Sequence, residues 1–169
     1  MSESPICFGL YVPPQPHPLL VPEQNEGWGQ LRSAFDTARK RIEESDADLI
    51  LVYSTTWPSV IGHQIQAHPE PEWTHVDDDF HFLGSMPYKF KMDSDFAHGY
   101  NENCGQRGLH SRTIAYDGFP IDTGSVVALK LLNPDNRIPA CIVSSNVYSN
   151  RSESIVLGKA ARDTLKQQG

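Results

Sequence analysis

Two stretches, "DLILVYS" at residues 48–54 and "IPACIVSS" at 138–145, constrain the fold more than any other feature of the chain. Each is a short, unbroken apolar run. It is too brief for a buried helix and too continuous for a strand with one wet face. Such a run suits a strand covered on both sides, as in a parallel sheet between two helical layers.

The segments between them supply those layers. Leu31, Phe35, Ala38 and Ile42 recur at helical spacing and predict an amphipathic helix over 28–44. Asp122 can cap "TGSVVALKLL", and Asn133-Pro134 ends it. Asp93 or Ser94 can cap a third helix through Phe96, Tyr100 and Cys104, with Gly105 as its expected stop. Asn150 and Glu153 resemble a capping box opening a last helix, along which Ile155, Val156, Ala160, Thr164 and Leu165 can pack. Residues 6–12 and 111–116 are further strand candidates, and "PYKFKM" alternates like a strand with one wet face. The five prolines of "PPQPHPLLVP" predict an extended loop over 13–22, and residues 58–85 read as a long excursion with short local structure. The expectation is one α/β domain over residues 1–169, a mainly parallel sheet covered by helices on both faces.

Composition narrows the function. The net charge is −7 and the densest basic run, Arg39-Lys40-Arg41, is followed at once by Glu43 and Glu44, which speaks against nucleic acid as a partner. Cys7, Cys104 and Cys141 are far apart, which suits a reducing cytoplasm and buried thiols rather than a disulfide framework. No apolar run is long enough for a membrane span.

Four polar stretches follow predicted strands and should share one rim of the sheet: Pro14 to His17, Ser54 to Trp57, Asp122-Thr123-Gly124 and Ser144-Ser145-Asn146. No nucleophile elbow, phosphate-binding glycine loop or dinucleotide fingerprint accompanies them. An iron site of two imidazoles and a carboxylate would need histidines there, and only His17 stands near. His63, His68, His75 and His81 with Asp77, Asp78 and Asp79 can be paired at zinc-like spacings, yet without neighbouring cysteines they read as a solvated acidic loop. Taken singly, Trp57 reads first as a core aromatic, Asp122 as a helix cap and Tyr53 as a packing residue.

The order of "LYVPPQPHP", "DLILVYSTTW", "YDGFPIDTGSVVALKLL" and "IPACIVSSNVYSNRSESIVLGKA" resembles the class III extradiol ring-cleavage dioxygenases, the protocatechuate 4,5-dioxygenase β-subunit superfamily, over residues 6–166. The resemblance implies Fe(II) in active members, held by histidines from the first two of these segments and a late glutamate. Carried over by residue, the first ligand position falls on Pro14 and the second on Thr56, while Thr123 stands where a histidine is common. Sliding the proline-rich loop by three residues would bring His17 to the first position. The late glutamate and a late acid–base histidine find no counterpart, so the C-terminal part of the family fold is expected to be missing. The resemblance therefore implies a non-catalytic, α-type subunit with no cofactor of its own. Its degenerate pocket would comprise Pro14, His17, Tyr53, Thr56, Trp57, Asp122 and Thr123. Its partner would be a catalytic dioxygenase-type subunit, or a second copy of the chain, in a complex acting on aminophenol- or catechol-type rings. Two alternatives stay open: an active iron dioxygenase with relocated ligands such as His17 and His110, and a small-molecule binding module using the same pocket.

Overall fold

The computed structural model describes residues 5–168. Its elements in chain order are α1 (His17–Leu20), α2 (Glu26–Glu43), β1 (Ile50–Ser59), β2 (His63–Gln66), β3 (Glu72–His75), β4 (Met86–Lys89), α3 (Ser94–Gln106), β5 (Ser111–Ile114), α4 (Thr123–Leu132), β6 (Ala140–Asn146) and α5 (Arg151–Gln168). The main sheet has the order β1-β6-β2-β5. β1 runs parallel to β6 and β2 parallel to β5, while β2 meets β6 antiparallel through the single pair Ile65↔Val143. The sheet is thus mainly parallel, as expected, with one reversal at its centre. β3 and β4 form a separate antiparallel hairpin.

Two cores flank the sheet, because side chains alternate across a strand. Ala140 and Ile142 of β6 face a core with Phe35 and Ile42 of α2 and with Val126, Val127, Leu129 and Leu131 of α4. Cys141 and Val143 face the other, with Phe96, Ala97 and Tyr100 of α3 and Leu157, Ala160 and Ala161 of α5. For β6 the unbroken apolar run is what two-sided burial demands, and each such side chain contributes about 2 kcal/mol by leaving water. β1, expected to be covered on both sides, is instead an edge strand that reaches a core only through Ile50, Val52 and Trp57 and leaves Leu51 and Tyr53 exposed. Burial holds the Cys104 thiol up at about 11 and raises that of Cys141 further, so neither is a nucleophile.

Local signals place the helices. Asn25 accepts from the Trp28 N–H and opens α2, Asp93 accepts from the Phe96 N–H and opens α3, and Asp122 does the same for Ser125 in α4. The capping box before α5 is reciprocal: Glu153 N–H donates to Asn150 Oδ1 at 3.0 Å, and Asn150 N–H donates to Glu153 Oε2 at 3.2 Å. Along α5, Ala160 and Thr164 are buried, but Ile155 is exposed.

Several expectations are corrected. Residues 6–12 form no strand; Leu10 and Tyr11 are exposed, Cys7 is exposed rather than buried, and only Phe8 and Val12 lean on the first core. The run meets a core on one side only, so the two-faced burial of an apolar strand is missing. The proline-rich segment is not wholly extended: α1 forms there because its prolines fall in the first turn, where no intrahelical N–H is required. α3 runs through Gly105 to Gln106, and Gly108, with φ of 76°, lies just beyond its end. The excursion at 58–85 hides a central strand, β2, all of whose residues are buried. Among the described residues no helix is long and apolar enough to cross a membrane.

Candidate functional site

The site begins where β1 leaves its ladder. Ser54 pairs with Ser144, and the next pair is Pro58 with Ser145, so Thr55, Thr56 and Trp57 bulge out of register. Bulges of this kind re-aim side chains next to functional sites. Here the bulge carries Thr56 and Trp57 to the first turn of α4.

That turn is fastened by Asp122. Its carboxylate accepts the buried Ser54 hydroxyl at 2.8 Å, the Thr56 hydroxyl at 3.2 Å and the Ser125 N–H at 3.3 Å. One aspartate therefore caps the helix and ties it to β1. Gly124 allows the approach: a Cβ there would stand 3.0 Å from Pro14 Cβ and overlap Thr56 Oγ1. Tyr88 of β4 supports the same loop, its hydroxyl accepting the Ile121 N–H at 3.0 Å; burial raises the Tyr88 pKa.

A second carboxylate meets the turn from the other side. Thr123 donates its hydroxyl proton to Asp77, and His75 Nε2 lies 2.7 Å from the same oxygen. Because the carboxylate only accepts, the Thr123 oxygen must accept from His75, which fixes the proton on His75 Nε2. Partial burial pushes the Asp77 pKa up, but the Thr123 hydroxyl, the Phe80 and Asp79 N–H groups and nearby His75 outweigh it and hold it below the ordinary carboxylate value. The chain His75–Thr123–Asp77 thus joins the hairpin and its following loop to α4.

Between these two clusters lies an open cleft of about 490 Å³, lined by Pro14, Gln15, Pro16, Thr56, Trp57, His75, Phe80, Phe119, Asp77, Asp78, Asp79 and Asp122, among others. Trp57 and Phe119 pack at 5.4 Å between centroids, and Tyr116 meets Phe119 edge-on at 5.4 Å. The cleft thus combines mutually tilted aromatic side chains with hydroxyl- and carboxylate-bearing residues.

Of the residues singled out in the sequence, Pro14, Thr56, Trp57, Asp122 and Thr123 border this cleft. Two do not. Tyr53 alternates with Ser54, so it points to the opposite face of β1, where it is 47% exposed. His17 is buried in α1, stacked on Trp28 at 4.5 Å and set edge-on to Phe80 at 4.6 Å, behind the wall of the cleft rather than on it. His75, Asp77, Phe80 and Phe119 were not anticipated. A solubilising role for the acidic run suits Asp78 and Asp79, which are exposed, but not Asp77, which Thr123 holds. The only signal in the sequence was an aspartate two and three residues before free N–H groups, the pattern of a local turn.

The histidines do not gather. His63 is buried in β2 with Nδ1 3.0 Å from the Ser144 carbonyl, His68 Nε2 lies 2.8 Å from Asp117, and His81 sits on an exposed 3-10 turn. His110 is exposed at the head of β5, remote in the fold from buried His17. An iron centre of the kind the resemblance implies wants two imidazoles and a carboxylate with open positions. The cleft holds one imidazole, whose Nε2–H is already given to Thr123, and among the described residues no group of three or more His, Cys, Asp or Glu is placed to hold a metal ion. These residues do not fit the iron.

The family described as the catalytic LigB subunit of aromatic ring-opening dioxygenase matches residues 11–168. The chain is 30% identical over 165 residues to a 2-aminophenol 1,6-dioxygenase alpha subunit from Pseudomonas sp., covering 97% of this chain and 60% of that one. It is 29% identical over 183 residues to the beta subunit of that name from Pseudomonas sp., covering 100% of this chain and 60% of the other. The chain therefore spans about 60% of the length of these relatives. A mutant pyrrolidone carboxyl peptidase from P. furiosus shares the fold alone, with a TM-score of 0.50, 8% identity, and coverage of 83% of this chain and 77% of that one.

Proposed function

We propose a role that starts from one premise: the chain belongs to the LigB family of aromatic ring-opening dioxygenases. Within it, the chain acts as a non-catalytic subunit of a class III extradiol dioxygenase-like complex that works on aminophenol- or catechol-type rings. It holds no iron. It keeps instead a ring-sized cleft at the carboxyl end of β1, formed by Pro14, Thr56, Trp57, Asp122 and Thr123.

The observation that carries this reading is the state of the donors. Thr56 and Thr123 offer neutral hydroxyls, and both are spent on carboxylates, Asp122 and Asp77. Asp122 in turn is spent on capping α4 and holding β1. Groups so fully satisfied serve structure. Assembly is supported by the relatives, which are the alpha and beta subunits of one named enzyme. The partner is a catalytic, dioxygenase-type chain.

The test combines metal content with assembly. After anaerobic reconstitution with Fe(II) and desalting, the purified chain should retain near-zero iron and show no oxygen uptake with 2-aminophenol or catechol. Co-expressed with a beta-type 2-aminophenol 1,6-dioxygenase subunit, it should co-elute with that subunit on size exclusion. One iron per chain, or oxygen uptake by the chain alone, would overturn the non-catalytic role. Separate elution from the beta-type subunit would overturn the assembly.

A further inference from the structure

We infer that the cleft selects by charge: it favours aromatic rings bearing an alkylammonium group over rings bearing a carboxylate, with neutral aminophenol- and catechol-type rings between them. This rests on the reading of the cleft as a ring-binding site and adds to it the class of ring. The cavity and the aromatic side chains that line it, Trp57, Phe119 and Phe80, define where a ring lies, whatever its charge. The charge around it decides which ring.

The lining includes four aspartates, Asp77, Asp78, Asp79 and Asp122, and neither lysine nor arginine. His75 is the one lining side chain able to carry positive charge, and its Nε2–H is directed at Thr123. Asp77 and Asp122 are satisfied by hydroxyl and N–H donors, which neutralise none of their charge. Asp78 and Asp79 are exposed at the mouth, where their carboxylates are free to meet an ammonium. The faces of Trp57 and Phe119 add their own attraction for a cation. An anionic ring entering the cleft meets four carboxylate-bearing residues and no lysine or arginine to pair with. At a few ångströms each such pair matters even in water, so the sum over several carboxylates separates the two ligand classes by about tenfold or more. The amino terminus of α4 does not offset this, because Asp122 already occupies it.

The experiment uses three probes of similar size on the full chain at pH 7 and low salt: tyramine, catechol and 3-(4-hydroxyphenyl)propanoate. Binding is read by calorimetry. Tyramine should bind at least tenfold more tightly than the propanoate. The gap should shrink in 0.5 M salt and in the double variant Asp78→Asn, Asp79→Asn, whose exposed positions leave folding intact. Trp57→Ala should weaken tyramine and catechol alike. If catechol binds and the two charged probes bind equally, the charge selection is wrong while the ring site stands. Tighter binding of the propanoate would overturn it as well. If none of the three binds, the ring-binding cleft itself falls, and the selection with it.

Discussion

The sheet is two parallel pairs joined back to back, and the pairs could hardly be less alike. β1 and β6 run side by side from Ile50↔Ala140 to Ser54↔Ser144, β6 burying apolar residues on both faces and β1 on one. β2 and β5 are short, and β2 reads His63-Gln64-Ile65-Gln66, every residue buried. β6 is held by both cores and β1 by the first. β2 adds polar ties to its one core residue, Ile65: Gln64 N–H donates to Ser144 Oγ of β6 at 2.7 Å, His63 Nδ1 meets the Ser144 carbonyl, and His63 N–H donates to the His110 carbonyl beside β5 at 3.0 Å. Of these four strands only β1 lends residues to the cleft; Ser144, Ser145 and Asn146 at the end of β6, expected on the same rim, do not line it. Burial alone therefore does not identify a strand's role; what secures it does.

Changes at four positions sharpen or break this contrast. The largest effect belongs to the apolar pair. Ile142→Ala removes a fully buried side chain from the face shared with α2 and α4, and should lower unfolding free energy by about 4 kcal/mol in urea titrations. For the polar pair the sensitive point is backbone geometry. Gly62 has φ of 82°, and a Cβ there would overlap the His110 carbonyl, so Gly62→Ala should cost about 3 kcal/mol by the same measurement. If it costs nothing, the β2–β5 junction is not as tight as described.

At the end of the first pair, Asp122→Ala removes a helix cap and leaves the buried Ser54 hydroxyl without its acceptor, for about 2 kcal/mol. Asp122→Asn keeps part of the cap and should lose less. The smallest effect comes from Asp77. Its folded pKa is depressed, so its contribution is complete above the ordinary carboxylate pKa of roughly 4 and vanishes as pH falls through the folded value. Solvent screens this carboxylate, so Asp77→Asn should cost only about 0.5 kcal/mol at pH 7. The difference from wild type should disappear in acid. A gap that persisted at pH 2 would mean the His75–Thr123–Asp77 chain acts through shape rather than charge.

Much of this was legible before any coordinates. The apolar runs of β1 and β6, the spacing of α2, the caps at Asp93, Asp122 and Asn150, and the convergence of Pro14, Thr56 and Asp122 all follow from local chemistry. β2 was not legible, because a buried polar strand lacks the apolar signal and exists only through partners far along the chain. His75 was hidden for the same reason: it reaches Thr123 across 48 residues because the β3–β4 hairpin docks on α4, where Lys130 Nζ donates to the Pro87 carbonyl at 2.7 Å. His17 misled in the opposite sense. It stands in the right loop, but the helical turn permitted by its flanking prolines rotates it against Trp28.

The sequence by itself determined the layered α/β plan and the identities of Thr56 and Thr123 in the rim loops, since periodicity and residue identity are local properties. Only the tertiary structure decided which oxygens Thr56 and Thr123 would meet, and that four aspartates and the aromatic side chains of Trp57, Phe80 and Phe119 would share one cleft. Those outcomes depend on the three-residue bulge in β1 and on where the hairpin packs, and both are settled by the fit of distant surfaces.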